Sequence, residues 1–127
     1  MSAPFDAVVL LAHGARDARW REPFHALERD LRARVAPSRV QVAFLEMAPP
    51  SFAEAVAALH AEGARRFRVV PVFLSGGGHV AKDVAPLVDE AARRHPDASF
   101  AVAGALGEEP EVQGAMRDAI VRLARDA

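Results

Sequence analysis

A chain of 127 residues, 51% apolar and 26% charged, has the length and composition of one globular domain with a real core, 1–127. Its formal net charge of −1 offers no bulk field to nucleic acid or to an acidic membrane surface. The absence of cysteine excludes disulfides, thiolate metal sites and cysteine nucleophiles, and it leaves the cytoplasm as the default compartment.

The run AVVLLA (7–12) predicts a strand buried on both faces. It is too short to span a membrane and has no basic stretch before it, so neither a membrane segment nor a signal peptide is expected. Phe24, Leu27, Leu31 and Val35 then recur at helical spacing, with Pro23 suited to a first turn. VQVAFLE (40–46) predicts a second strand, and SFAE (51–54) a capping box in which Ser51 and Glu54 serve each other's backbone. Phe52, Val56 and Leu59 form the stripe of that helix, and Gly63 marks its end.

FRVVPVFL (67–74) predicts a third strand, although Pro71 removes one ladder donor. A third helix is expected over 83–94, stopped by Pro96. SFAVAG (99–104) reads as a fourth strand. The last helix starts near Pro110 and carries Val112, Met116, Ile120 and Leu123 on one side. Continuous apolar strands alternating with helices predict an α/β fold. Its four-stranded parallel sheet has the order 2-1-3-4, with helices on both faces, as in flavodoxin-like topologies.

In such sheets ligands bind beyond the carboxyl ends of the strands. His13 follows the first strand, Glu46 the second and His79 the third. Two imidazoles and a carboxylate suit a first-row divalent metal with open positions. His25 and His60 fall on helices and His95 at a helix end, where packed or solvated roles are expected. The run SGGGH (75–79) precedes a helix and could hold an anion on its N–H groups. It lacks the spacing of a P-loop, a dinucleotide fingerprint or a nucleophile elbow. Gly76, Gly77 and Gly78 instead suit a wall on which a flat, bulky ligand can rest against main chain.

The segments HGARDARW, FLEMAPPSF and PVFLSGGGHVAKDV resemble the three motif blocks of the short sirohydrochlorin chelatases. These are class II tetrapyrrole chelatases, related to the cobalt chelatases of vitamin B12 synthesis and to siroheme ferrochelatases. The resemblance covers nearly the whole chain in the right order. Ala15 stands where relatives often carry Ser, and Pro49 where an acidic residue is often found.

The resemblance implies a homodimer whose two copies face each other across a tetrapyrrole cleft. It places the metal-site histidines on His13 and His79 and the acidic active-site residue on Glu46. The expected activity is insertion of Co2+, Fe2+ or Ni2+ into sirohydrochlorin, the metal being substrate, with neither ATP nor an organic cofactor. Arg16 and Lys82 are candidates for binding substrate carboxylates. The alternatives are a non-catalytic metal- or tetrapyrrole-binding protein, or an anion binder using the glycine loop.

Overall fold

The computed structural model of the chain describes residues 4–75 and 80–126. Strands β1 (Ala7–Ala12), β2 (Arg39–Phe44), β3 (Arg66–Pro71) and β4 (Ser99–Val102) form one parallel sheet in the order β2-β1-β3-β4. Helices α1 (Ala18–Arg34), α2 (Phe52–Ala61), α3 (Ala85–Arg94) and α4 (Pro110–Arg125) follow the strands in turn. The expected strand order is the observed one.

Crossover handedness decides which face each helix takes. The step from β1 to β2 runs one way along the sheet, and those from β2 to β3 and β3 to β4 run the other way. So α1 lies on one face, where Phe24, Leu27, Leu31 and Val35 meet Leu10, Val40, Val42 and Phe44. On the other face Phe52, Val56 and Leu59 of α2 and Ala91 of α3 meet Val9, Leu11, Phe67 and Val69. Fully buried side chains such as Leu11 and Phe67 contribute roughly 1.5–3 kcal/mol each.

The helix boundaries follow from local chemistry. The capping box of α2 is complete, with Ser51 N–H donating to Glu54 Oε1 at 2.8 Å and Glu54 N–H to Ser51 Oγ at 3.1 Å. Pro23, however, does not open α1. Asp17 caps that helix by accepting Arg19 N–H at 2.9 Å, so it starts at Ala18 and Pro23 lies inside it. The Arg19 carbonyl thereby loses its donor, which is tolerable because both residues are exposed and water can serve it. A single π-helical turn, Val80–Val84, precedes α3, where Pro86 has no N–H to return to the Lys82 carbonyl.

Two devices let the strands end cleanly. Val72 N–H donates to Leu11 O at 2.8 Å, so alternation turns the missing donor of Pro71 toward β4, beyond the last paired position Val69–Val102. β2 is an edge strand, and its outward Val42 N–H donates to Glu28 Oε2 at 2.7 Å. Glu28 is buried, and Arg32 donates to its other oxygen at 3.2 Å. One carboxylate therefore ties α1 to β2 and occupies an edge donor.

Candidate functional site

The loops leaving β1 and β2 are held together as one unit. Leu45 N–H donates to Ala12 O at 2.8 Å and Glu46 N–H to His13 O at 3.1 Å, continuing the β1–β2 pairing past the strand ends. Gly14 makes this approach possible. Its φ is +100°, and a Cβ there would collide with the Glu46 carbonyl oxygen. Any other residue would push the two loops apart, and with them His13 and Glu46.

Each side chain is then constrained from its own side. The His13 ring stacks on Phe73, with centroids 4.4 Å apart and planes 24° apart, and Phe73 is itself buried at the end of β3. Met47, next to Glu46, has φ +66°, a left-handed conformation that costs a non-glycine residue roughly 1–2 kcal/mol. Past it, Phe44 N–H donates to Pro50 O at 2.9 Å, and the capped start of α2 closes the loop. Strain held in place by a hydrogen-bonded frame on both sides is typical of positions where a side chain must point outward.

His13, Leu45, Glu46, Lys82, Asp83 and Leu87 line one cleft of about 480 Å³. Three residues picked from the sequence, His13, Glu46 and Lys82, thus meet at the carboxyl ends of the strands. Arg16 is exposed in the turn before α1 and does not line the cleft. His79 and Gly76, Gly77 and Gly78 lie outside the described residues. Among the described residues, no three His, Asp or Glu side chains are close enough to hold a metal ion.

Sequence reasoning missed Asp83, which brings a second carboxylate to the cleft. Its signal was present in the run HVAKD, where Lys82 was selected and Asp83 was read only as a helix start. Also missed was an apolar rim on the loops at this edge of the sheet. Trp20 in the first turn of α1, Met47 after β2 and Leu74 after β3 are 71%, 56% and 75% exposed. Large apolar side chains held in water at a binding edge suit a ligand or partner that covers them.

The other histidines have structural roles, as expected. His25 meets Phe44 edge-on at 5.7 Å. His60 Nε2 lies 2.8 Å from Asp97 Oδ1, and its ring is 4.5 Å from that of His95. This contact lowers the Asp97 pKa below the usual carboxylate value, chiefly through the His60 hydrogen bond.

The fold agrees with what is found among known proteins. The family model described as CbiX matches residues 7–123. The chain belongs to the CbiX family. It is 28% identical to the sirohydrochlorin cobaltochelatase of Methanothermobacter thermautotrophicus, over 92% of each chain. It is 32% identical to that of Methanocaldococcus jannaschii, over 65% of this chain and 58% of the relative. The match to the Methanococcus aeolicus cobaltochelatase likewise spans 55% of the relative. Among solved structures, a protein named for CbiX of cobalamin (vitamin B12) biosynthesis, from Marinobacter aquaeolei VT8, is similar with a TM-score of 0.81. The two are 32% identical, and the match covers 94% of this chain and 98% of that one. The sirohydrochlorin chelatase SirB of Bacillus subtilis, solved with cobalt, shares the fold with a TM-score of 0.82 at 24% identity. This CbiX-family chain covers 50% of SirB, and 93% of this chain is matched.

Proposed function

We propose that this CbiX-family chain inserts a divalent metal ion, Co2+ or Fe2+, into sirohydrochlorin without ATP. The observation that carries the reading is the meeting of His13, Glu46 and Lys82 in one cleft at the strand ends. The names of the relatives, sirohydrochlorin cobaltochelatase and, in Arabidopsis thaliana, sirohydrochlorin ferrochelatase, support it. So does SirB, solved with cobalt and with Fe3+.

Insertion exchanges two pyrrole protons for one M2+, so the site must loosen a hydrated cation and accept two protons. His13, its ring fixed against Phe73, offers one nitrogen ligand, and His79 offers the second. Neutral imidazole ligands leave coordination positions free for ring nitrogens. Glu46 accepts one proton from the macrocycle, since its carboxylate lines the same cleft as His13. The His13 imidazole takes the other once the metal has passed to the ring nitrogens. Lys82 binds a substrate carboxylate at the cleft wall, and Arg16 reaches another from the exposed turn. Gly76, Gly77 and Gly78 leave clearance for the macrocycle, and Leu74 and Met47 present apolar surface to it.

The reading carries with it one domain over 1–127, a cytoplasmic setting and a homodimer whose copies face each other across the tetrapyrrole. The chain matches half the length of SirB, which leaves the length of one further copy beside the matched half. No helix among the described residues is long and apolar enough to cross a membrane.

The test is an anaerobic assay following sirohydrochlorin absorbance after adding Co2+ or Fe2+. Metallation faster than the protein-free control is expected. A rate equal to that control overturns the proposal and favours a binding protein that does not catalyse.

A further inference from the structure

The strand exits at the carboxyl edge are laced to one another, and the exit from β4 takes part. Val72 N–H, donating to Leu11 O at 2.8 Å, ties the β3 exit to β1. On the opposite flank Ala103 N–H donates to Val69 O at 2.8 Å, and Gly107 N–H donates to Phe73 O at 2.8 Å. Glu108 and Glu109 N–H then close a 3₁₀ turn on Ala105 O and Leu106 O at 3.0 and 3.1 Å. The segment that carries Gly107 is thereby fixed in its own right.

Gly107 lets the two segments come this close. It is buried, and a Cβ there would run into the Leu74 backbone, its carbonyl oxygen first. Gly104, earlier in the same loop, is exposed, and a Cβ there would meet nothing within 4 Å. Close approach of main chain to main chain thus requires glycine at 107 and not at 104.

The residues gripped by this turn belong to the site. The Phe73 ring stacks on the His13 imidazole, with centroids 4.4 Å apart. Its backbone is held toward β1 through Val72 N–H and toward β4 through its own carbonyl. Phe73 and Ala105 share one buried cluster with Val84, which ends the π-helical turn that brings Lys82 and Asp83 to the cleft. An imidazole lone pair lies in the plane of its ring. A Phe73 ring that tilts or slides therefore turns the direction in which His13 can offer a nitrogen to a metal.

We propose that Gly107 is a positioning residue for metal insertion, holding Phe73 in place and through it setting the plane of the His13 ring. This rests on the chelatase reading above. It gives a part in that reading to the β4 exit, ALG (105–107), which carries no metal-ligating side chain of its own. Groups that orient a metal ligand without touching the metal typically govern affinity or activity by about 10- to 100-fold.

Gly107→Ala and Gly104→Ala make the same chemical change in one loop, and only the first meets backbone. Both are compared with the native chain in Co2+ affinity without sirohydrochlorin, in kcat and KM for metallation, and in urea midpoint. Proton NMR of the histidine rings is the direct readout, because the Phe73 ring current shifts the His13 signals; these are assigned by their loss in His13→Ala. The expected result for Gly107→Ala is displaced His13 ring signals and a loss of about 10- to 100-fold in Co2+ affinity and kcat, with KM for sirohydrochlorin near native. Gly104→Ala should keep native values throughout. Native His13 signals and native Co2+ affinity in Gly107→Ala, whatever its urea midpoint, overturn the assignment and leave Gly107 a role in folding alone. Where Gly107→Ala does not fold, Phe73→Leu tests the same link nearer the metal, removing the ring and keeping an apolar side chain. A loss of Co2+ affinity of the same order supports the assignment. Native affinity overturns it, since nothing would then pass from Gly107 to His13. A native chain that binds Co2+ without inserting it overturns the chelatase reading alone, because ring signals and affinity still read the positioning.

Discussion

The two edges of the sheet are built on opposite plans. At the amino edge charges are matched at short range. Asp6 accepts the N–H groups of Arg65 and Arg66 at 2.9 Å each and pairs with the Arg66 guanidinium at 3.1 Å. Arg39 pairs with Glu62 at 2.6 Å, and Arg65 with Asp97 at 3.0 Å. A cleft of about 260 Å³ lies there too, lined by Asp6, Arg39, Glu62 and Arg66, but its charges already answer one another. At the carboxyl edge Glu46 and Lys82 line a larger cleft. There no ion pair among the described residues engages either, a strained Met47 adjoins Glu46, and Trp20 and Leu74 stand in water. The same strands are thus stapled at one end and left ready for a ligand at the other. Substitutions at the two ends should accordingly fail in different ways.

The largest expected effect is at the carboxyl edge. His13→Ala should lower metallation by about 10²-fold or more, with Co2+ affinity falling alongside and the urea midpoint little changed, because His13 is exposed. Native Co2+ affinity in that variant would remove His13 from the ligand set. Gly14→Ala comes next and breaks the separation of the two plans. A methyl at φ +100° against the Glu46 carbonyl should cost more than about 1 kcal/mol and also displace Glu46, so stability and rate should fall together. An unchanged rate would show that the register of the two loops does not matter.

Much of this was legible in the sequence, and the reasons for the gaps are physical. The strands declared themselves because both faces of a parallel sheet are buried, so β1 reads as six apolar residues without a break. The strand ends then placed His13 and Glu46 at one edge by topology alone. The start of α1 was misjudged because Pro23 is a strong first-turn signal, whereas the Asp17 cap looked like one more charge in ARDAR. Glu28 was hidden for a related reason. A glutamate in a helix normally means solvent, and only the tertiary placement of an edge donor turns it inward. Nothing in the periodicity of α4 says that none of its residues would be buried. The glycine run and His79, part of the third motif block, fall outside the described residues.

Two smaller effects sharpen the comparison from the stability side. Glu28→Ala should leave the Val42 N–H without its partner at a buried position and cost about 1–3 kcal/mol, read from the urea midpoint. Glu28→Gln keeps an acceptor there and should cost less. An equal loss in both would mean that the charge, not the hydrogen bond, matters.

The smallest effect belongs to Asp6. Backbone hydrogen bonds from Arg65 and Arg66, aided by the Arg66 side chain, lower its pKa from the ordinary 3.8 to about 2. A carboxylate whose folded pKa is depressed stabilises the fold above its unfolded value, and that contribution is lost as pH falls through the folded one. The native chain should therefore lose stability between about pH 4 and pH 2, and Asp6→Asn should show a shallower dependence across that window. Parallel urea midpoints for the two proteins down to pH 2 would contradict the assignment.

The central claim is that the carboxyl-edge cleft performs metal insertion and the amino edge holds the fold. The rate of anaerobic Co2+ insertion into sirohydrochlorin by Glu46→Gln, set beside that of Asp6→Asn, tests it most directly. The account predicts that Glu46→Gln loses about 10²-fold or more in rate at a native urea midpoint, while Asp6→Asn metallates at the native rate. Metallation by Glu46→Gln at the native rate would contradict it.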